Sequence, residues 1–378
     1  MSAEHLGIYV HVPFCTGKCP YCSFDSRPAT DGEIEAYVPA VSEEVRLRLD
    51  GDAAAGTVYF GGGTPTMLRP ALLGELLRAI EVRLPLADDV EITVEANPES
   101  LTRDSLAELR RVGFNRLSIG AQSFDDEVLS TLGRRHDARR AREAVQDARG
   151  AGWENVSLDL IFGVPGQGQR QWRATLEQAM SLRAEHISTY CLTIEPGTEF
   201  HRRQLAGDLV GVGEETEAEM YAAARHMLLA AGYEHYEISN FALPGRRCRH
   251  NEKYWRDGDY VGLGAGAHSS VRGLRWANTA CPGQYRAMVR RGVLPVAYVE
   301  RLAARRRMDE GLILELRTVE GSCLAQLGAR CGRDAVNEYR NHIEELVRAG
   351  LATMTGSRLA LTERGMLLAS EVGMRIMA

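Results

Sequence analysis

Apolar residues along the first two hundred positions fall into two alternating rhythms. Short runs rich in β-branched and aromatic residues occupy 7–13, 57–60, 91–95, 116–120, 156–162 and 187–194. Between them, 31–49, 70–82, 103–112, 138–151 and 169–182 place apolar residues three and four apart, the spacing of an amphipathic helix. Strand and helix in regular alternation predict a parallel sheet with helices outside. Six such units are too few for an eight-stranded closed barrel. The expected fold class is α/β: an open, curved partial (β/α)6 barrel with functional residues at the carboxyl ends of its strands.

Beyond about 205 the rhythm changes. An acidic, helix-like stretch at 214–231 leads to a strand-like run, 233–241, and then a glycine-rich one, 258–266. From 302 onward, helices at 307–316 and 333–349 precede a hairpin, 351–354 with 358–361, turning at Thr355, Gly356 and Ser357. Helix, helix, hairpin makes a winged-helix-like α+β unit. Three regions are expected: a barrel over 1–205, its extension over 206–300, and a small C-terminal winged-helix-like domain over 301–378. A DNA-reading wing needs a basic face. Residues 300–378 hold 12 Arg against 11 Asp and Glu, so a packing or lid role is expected instead.

Composition narrows the function classes. With 44% hydrophobic and 25% charged residues, the chain reads as globular. Its net charge of −6 argues against a nucleic-acid partner. No apolar run approaches the roughly 20 residues that span a bilayer. The start, Met1 to Gly7, lacks the charged and apolar regions of a signal peptide. A cytoplasmic protein, not an integral membrane protein, is expected. Eight cysteines with three clustered do not look like a disulfide framework.

That cluster is Cys15, Cys19 and Cys22, spaced C-x3-C-x2-C at the exit of the first strand. Three thiolates from one tight loop can hold three corners of a [4Fe–4S] cubane. No fourth cysteine is near: position 24 is Phe24, and the next cysteine is Cys191. One iron would keep an open position, which marks a reactive rather than a structural site. A structural zinc site wants four ligands in C-x2-C pairs, and no second pair follows.

Later strands end in glycine-rich or polar turns. The run Gly61 to Thr66, GGGTPT, follows the second strand, where backbone N–H groups can bind a carboxylate or phosphate. Glu95 ends the third strand and can accept from an amine or ribose hydroxyl, or cap the following helix. Strand four delivers Gln122 and, beyond it, Arg134. Asp159 lies inside an apolar run, where an unpaired carboxylate is costly. A buried acid bonded to backbone amides is the alternative to a ligand role there.

Taken in order, these motifs resemble the radical S-adenosylmethionine (SAM) enzymes. The branch is the one containing oxygen-independent coproporphyrinogen III dehydrogenase, HemN, and its HemW relatives. Besides the cysteines and GGGTPT, the resemblance rests on EANP at 95–98, SIGAQSF at 118–124, DLIFGVPGQ at 159–167 and IEPGTEF at 194–200. It continues through YEISNFALPG at 236–245, HNEKYW at 250–255 and GDYVGLGAGAHS at 258–269. The resemblance implies that Cys15, Cys19 and Cys22 ligate the cluster and that SAM chelates the open iron. It implies contacts from Tyr9, Gly62 and Glu95 to that SAM. Tyr21, Gly63, Thr64, Gln122, Arg134 and Asp159 match a neighbouring pocket that in HemN holds a second SAM. The family's chemistry begins with one-electron reduction of the sulfonium; the protein binds, orients and excludes water and oxygen.

Two departures separate the chain from HemN. Phe24 stands where HemN has a further cysteine, and only 14 residues precede Cys15 where HemN has an extension. Both match HemW, a group regarded as heme chaperones. The expected function is a carrier that binds heme, retains a SAM-coordinated cluster, and passes heme to acceptor apoproteins, membrane-associated ones included. The alternative is a radical enzyme using two SAM molecules, either a HemN-like methyltransferase or a coproporphyrinogen III dehydrogenase; the dehydrogenase activity is not expected. HNEKYW matches a motif this branch associates with heme. His250 is its expected iron ligand and Tyr254 and Trp255 its walls, with Arg246, Arg247 and Arg249 meeting the propionates. Cys248 and His268 are alternative ligands. Chain order is expected to bring this segment to the rim where the cysteine loop lies. Cys191, Cys281, Cys323 and Cys331 are expected to be core or incidental. A homodimer is compatible with the sequence.

Overall fold

In the computed structural model, which describes residues 5–51 and 53–377, the six expected strands form one parallel run. They are β1 (Leu6–Val12), β2 (Ala55–Gly62), β3 (Leu86–Ala96), β4 (Arg116–Gln122), β5 (Val156–Phe162) and β6 (His186–Cys191). Each bonds the next in parallel. Helices Asp31–Arg48, Pro70–Arg83, Arg103–Arg111, Ala138–Gly150 and Gln169–Ser181 return the chain between them. Their starts are chemically set. Thr30 forms a capping box with Glu33, and the Asp137 carboxylate accepts from the Arg140 N–H. Each such cap contributes about 1 kcal/mol.

The strands carry two different faces. Ile8, Val10, Val58, Phe60, Val94, Leu117, Ile119, Leu158 and Leu160 belong to the main apolar core, with the helices. The residues between them are polar: Tyr59, Glu95, Arg116, Ser118, Asp159, His186 and Ser188 line the inside. Parallel strands buried on both faces usually read as continuous apolar runs, and a closed barrel is filled by branched apolar side chains. Here every second residue is polar, so the partial barrel encloses a polar well.

The sheet runs beyond the six strands to twelve. It adds β7 (Glu234–Glu237), β8 (Asn240–Ala242), β9 (Tyr260–Leu263), β10 (His268–Val271), β11 (Leu274–Asn278) and β12 (Val296–Arg301). The order is β12-β11-β10-β9-β1-β2-β3-β4-β5-β6-β8-β7, an open mixed sheet. The α/β partial barrel is as expected, but the glycine-rich 258–266 contains β9, which lies parallel to β1. Glycine is required there: a Cβ on Gly262 would lie 2.1 Å from the His268 carbonyl oxygen. The single strand expected over 233–241 is a hairpin, with Glu237 paired to Asn240 across Ile238 and Ser239. No glycine or proline marks that turn.

Residues from Ala304 onward build a second apolar cluster that includes Met308, Leu312, Leu324, Tyr339, Leu346 and Leu359. The hairpin β14 (Ala352–Thr355) and β15 (Arg358–Leu361) is joined by a short β13 (Ser322–Cys323). The helix expected over 333–349 is two, Ala335–Glu338 and Arg340–Arg348, and Leu324–Cys331 is a further one. Arg305, Arg306, Arg330 and Arg333 form ion pairs with Asp309, Glu310, Glu315 and Glu338. No described helix is long and apolar enough to cross a membrane.

Candidate functional site: a polar well beneath the cysteine loop

The cysteine loop leaves the carboxyl end of β1 and is clasped by GGGTPT. Gly63 N–H donates to the Val12 carbonyl at 2.8 Å and Thr64 N–H to the Phe14 carbonyl at 2.7 Å. A Cβ on Gly63 would lie 2.4 Å from the Phe14 oxygen, so the two loops meet this closely only with glycine. These N–H groups are therefore not an open anion nest. Only Gly62 N–H reaches a carboxylate, Glu95 Oε2 at 3.2 Å.

Below the loop lies a cavity of about 340 Å³. Cys15, Cys19, Cys22 and the exposed Phe24 line its mouth, and Tyr21, Gly62, Gly63, Thr64, Gln122 and Arg134 its upper wall. All three thiols are free of disulfides. Burial foremost, with Cys19 and Cys15 adding, pushes the Cys22 thiol up from its ordinary value. Arg134 approaches Cys19 Sγ at 3.7 Å, and it donates to Asn97 Oδ1 at 2.6 Å and the Gly120 carbonyl at 3.1 Å. Among the described residues no three His, Cys, Asp or Glu side chains converge as a single metal ion requires. A cubane asks for something else, one thiolate at each of three separate irons. Three unpaired thiols on one loop, with a guanidinium beside them to offset negative charge, fit that demand. Gln122 has φ 62°, a left-handed backbone that non-glycine residues rarely adopt, at the break in the β4–β5 register. Such strain persists where the surroundings over-determine it, commonly at ligand sites.

Deeper in the wall, Glu95 accepts from the Tyr59 hydroxyl at 2.7 Å and from Gly62. It caps no helix. Burial pushes its carboxyl up to about 7, against the Tyr59 hydrogen bond. Asp159 accepts from the Ser188 hydroxyl at 2.8 Å and the Ser118 hydroxyl at 3.1 Å. Burial raises it too. Its partners are thus hydroxyls, not the backbone amides of the alternative reading. Tyr9 stacks against Tyr59 at 6.2 Å, its hydroxyl 3.0 Å from His11 Nδ1. Tyr59, not Tyr9, lines the cavity.

HNEKYW lies elsewhere than expected. It forms the helix Arg249–Trp255, whose Arg249 and His250 N–H groups both donate to Glu91 at 3.1 Å. Of the helix's neighbours, Gly7 and Thr57 lie toward the amino ends of β1 and β2, and Glu91 of β3 pairs with Thr57. The helix therefore closes the floor of the barrel, at the end opposite the cysteine loop. His250 is 1% exposed. Its Nδ1 lies 2.8 Å from the Thr57 hydroxyl and its Nε2 2.8 Å from the Tyr254 hydroxyl, so neither ring nitrogen is open to iron. Burial lowers its pKa to about 3, which keeps it neutral. Cys248 is wholly buried, its thiol pushed up to about 12 by burial and 3.8 Å from Glu91. Both corrections share one cause: the packing that makes this segment a floor takes these side chains inside. His268 is exposed on β10. Arg247 pairs with Glu234 and Glu320, and Arg249 with Asp89. Tyr254 and Trp255 do wall a groove of about 380 Å³, with Tyr260, Leu302, Leu314, Arg275 and Arg307, where the barrel meets the C-terminal helices. The Arg317 guanidinium stacks 4.5 Å above the Trp255 ring.

Sequence reasoning missed Tyr59, Arg116, Asn251 and Cys191, all of which line the main cavity. The signal for the first two was present, since Tyr59 sits between the apolar Val58 and Phe60 of β2, and Arg116 stands two before Ser118 in the polar alternation of β4.

Residues 9–179 match the radical SAM superfamily and 302–368 the HemN C-terminal domain. The chain is 37% identical to the heme chaperone HemW of Mycobacterium tuberculosis, over 98% of this chain and 95% of that protein. It is 35% identical to HemW of Bacillus subtilis, over 96% and 97%, and 36% identical to HemW of Escherichia coli, over 96% and 95%. The crystal structure of Escherichia coli HemN, a coproporphyrinogen III oxidase, shares the fold, with a TM-score of 0.85 at 23% identity over 99% of this chain and 90% of that one.

Proposed function

Because the chain belongs to the HemW family of the radical SAM superfamily, we propose that it binds heme and delivers it to acceptor proteins while carrying a SAM-coordinated [4Fe–4S] cluster. The likeness over nearly the whole chain to proteins named heme chaperones carries this reading. Cys15, Cys19 and Cys22 would hold the cluster, which when bound supplies one electron to the sulfonium of SAM. The residues of this chain do the positioning. The Gly63 and Thr64 N–H groups fix the cysteine loop against β2. Arg134 sets a positive charge beside Cys19, and Glu95 and Asp159 present acceptors along the wall below.

For heme, the groove of Tyr254, Trp255 and Tyr260 offers aromatic walls, and its cations, Arg275 and Arg307, would exchange their ion pairs with Glu310 and Asp257 for the propionates. His250 braces Tyr254 from behind rather than meeting iron. Heme titration of the cluster-loaded protein tests this. Wild type should bind about one heme per chain, and Trp255→Ala should weaken binding with the cluster spectrum unchanged. A protein that binds no heme would overturn the reading.

One observation favours the second reading, a radical enzyme using two SAM molecules. The cavity continues past Gln122, Arg134 and Asp159 toward Asn251 at its floor, so its polar lining extends well beyond the cysteine loop. Cleavage of SAM by the reduced protein, with a transferred methyl or adenosyl product, would decide for it.

A further inference from the structure

The deep end of the well holds a cation whose bonding capacity is unfilled. Arg116, the first residue of β4, is 1% exposed, lines the cavity, and has no hydrogen-bond partner at Nε. A buried guanidinium N–H without a hydrogen-bond partner is costly. The Arg116 charge faces Glu91, Glu95 and Asp159, but these acids take their hydrogen bonds from other groups. Glu91 accepts from the N–H groups of Arg249 and His250, Glu95 from Tyr59 and Gly62, and Asp159 from Ser118 and Ser188. Asn251, which follows His250 in the floor helix, lines the same cavity. It lies one residue beyond the two whose N–H groups hold Glu91, so the acid nearest the floor anchors the helix that presents it.

A fork of N–H donors matches a planar, two-oxygen anion, and Asn251 adds an amide to the same cavity. We infer that Arg116 and Asn251 form a carboxylate-binding subsite at the floor of the well. This rests on the reading of the protein as a SAM- and heme-binding member of its family. It joins Arg116, which belongs to neither the cysteine loop nor HNEKYW, to the Asn251 of that motif. A first SAM uses its own carboxylate at the cluster iron, so the floor serves a further ligand. Two carboxylates qualify, that of a second SAM and a propionate of a heme seated in the well instead of in the groove of Tyr254 and Trp255. Asp159, raised by burial too, and Glu95, held up to about 7, face the same guanidinium, so in mildly acidic solution Glu95 is largely uncharged and the repulsion of an incoming carboxylate is smaller. Binding should therefore be tighter at pH 6 than at pH 8.

The test uses the cluster-loaded protein and two ligand pairs: SAM against decarboxylated SAM, read at the second equivalent, and heme against its dimethyl ester. Wild type, Arg116→Gln and Asn251→Leu are compared by equilibrium binding, with the cluster absorption as the folding control. For one pair, Arg116→Gln should weaken the acid form by about 10- to 100-fold, as expected for losing a charge-assisted hydrogen bond, and leave the derivative unchanged. Asn251→Leu should weaken the same acid form to a smaller degree. That pair identifies the source of the carboxylate. If Arg116→Gln fails to assemble its cluster, Asn251→Leu decides alone. Variants that keep the wild-type preference for both acids over both derivatives would overturn the subsite and leave the functional reading standing. Wild type that binds neither heme nor a second SAM would overturn both.

Discussion

The imidazole of His250 stacks on the ring of Tyr59, with centroids 5.0 Å apart and planes 24° from parallel. Tyr59 in turn donates to Glu95 in the wall of the well, and Tyr254 meets the opposite side of the imidazole edge-on at 5.0 Å. HNEKYW and the cavity beneath the cysteine loop are thus joined through one buried ring. Tyr254 borders the outer groove while Tyr59 borders the well, and His250 is the contact between them.

His250→Ala should cost about 2–4 kcal/mol of stability, because it opens a cavity and leaves the Thr57 and Tyr254 hydroxyls unpartnered. Thermal denaturation measures it. The Soret band of bound heme should stay at its wild-type position. A displaced Soret band in a variant of wild-type stability would instead make His250 an iron ligand.

Glu95 ties stability to pH. Its folded carboxyl keeps its proton up to about 7, whereas the ordinary value is 4.5. Between those limits the folded state binds more protons than the unfolded one, so stability falls as pH rises through this window. Glu95→Gln removes the effect. Relative to wild type, the variant should be more stable at pH 8 than at pH 4.5, by up to about 3 kcal/mol. An equal difference at the two pH values in denaturant titrations would refute the buried-acid account.

Loss of Cys15, Cys19 or Cys22 should abolish the broad visible absorption of the reconstituted cluster. Cys191→Ala should retain it although Cys191 borders the same cavity, since Cys191 ends β6 and lies off the cysteine loop. A full cluster spectrum in Cys19→Ala would sink the three-ligand assignment.

Gly63→Ala forces a methyl group to within 2.4 Å of the Phe14 carbonyl oxygen, a contact with backbone that no rotamer relieves. The cysteine loop must shift. Iron content after reconstitution should drop several-fold, and the variant should melt below wild type. Iron and melting temperature at wild-type levels would mean that the clasp between the two loops is not needed.

Much of the site was legible because its chemistry is local. Cys15, Cys19 and Cys22 fall within eight residues, and GGGTPT carries its backbone requirement in its glycines, so spacing and residue type point to the loop and its clasp. The barrel was legible for a similar reason. Each βα unit writes its own periodicity, and β5 (Val156–Phe162) falls where the pattern places it. The strand β9 was not legible, because Gly258 to Gly266 has the composition of a loop and becomes a strand only by pairing with β1.

The sequence by itself determined the α/β alternation, the cysteine loop, the polar alternate positions of the strands and the presence of HNEKYW. Tertiary structure alone decided what that last motif does with its side chains. Whether a histidine is open to iron depends on what occupies its two nitrogens, and here the occupants, Thr57 and Tyr254, come from a distant strand and the next helical turn. Likewise, nothing local to Arg116 shows that the acids around it bond to others. Hydrogen-bond capacity is exhausted or left open only once the chain has packed, and that accounting sends His250 into the floor and leaves Arg116 facing the well.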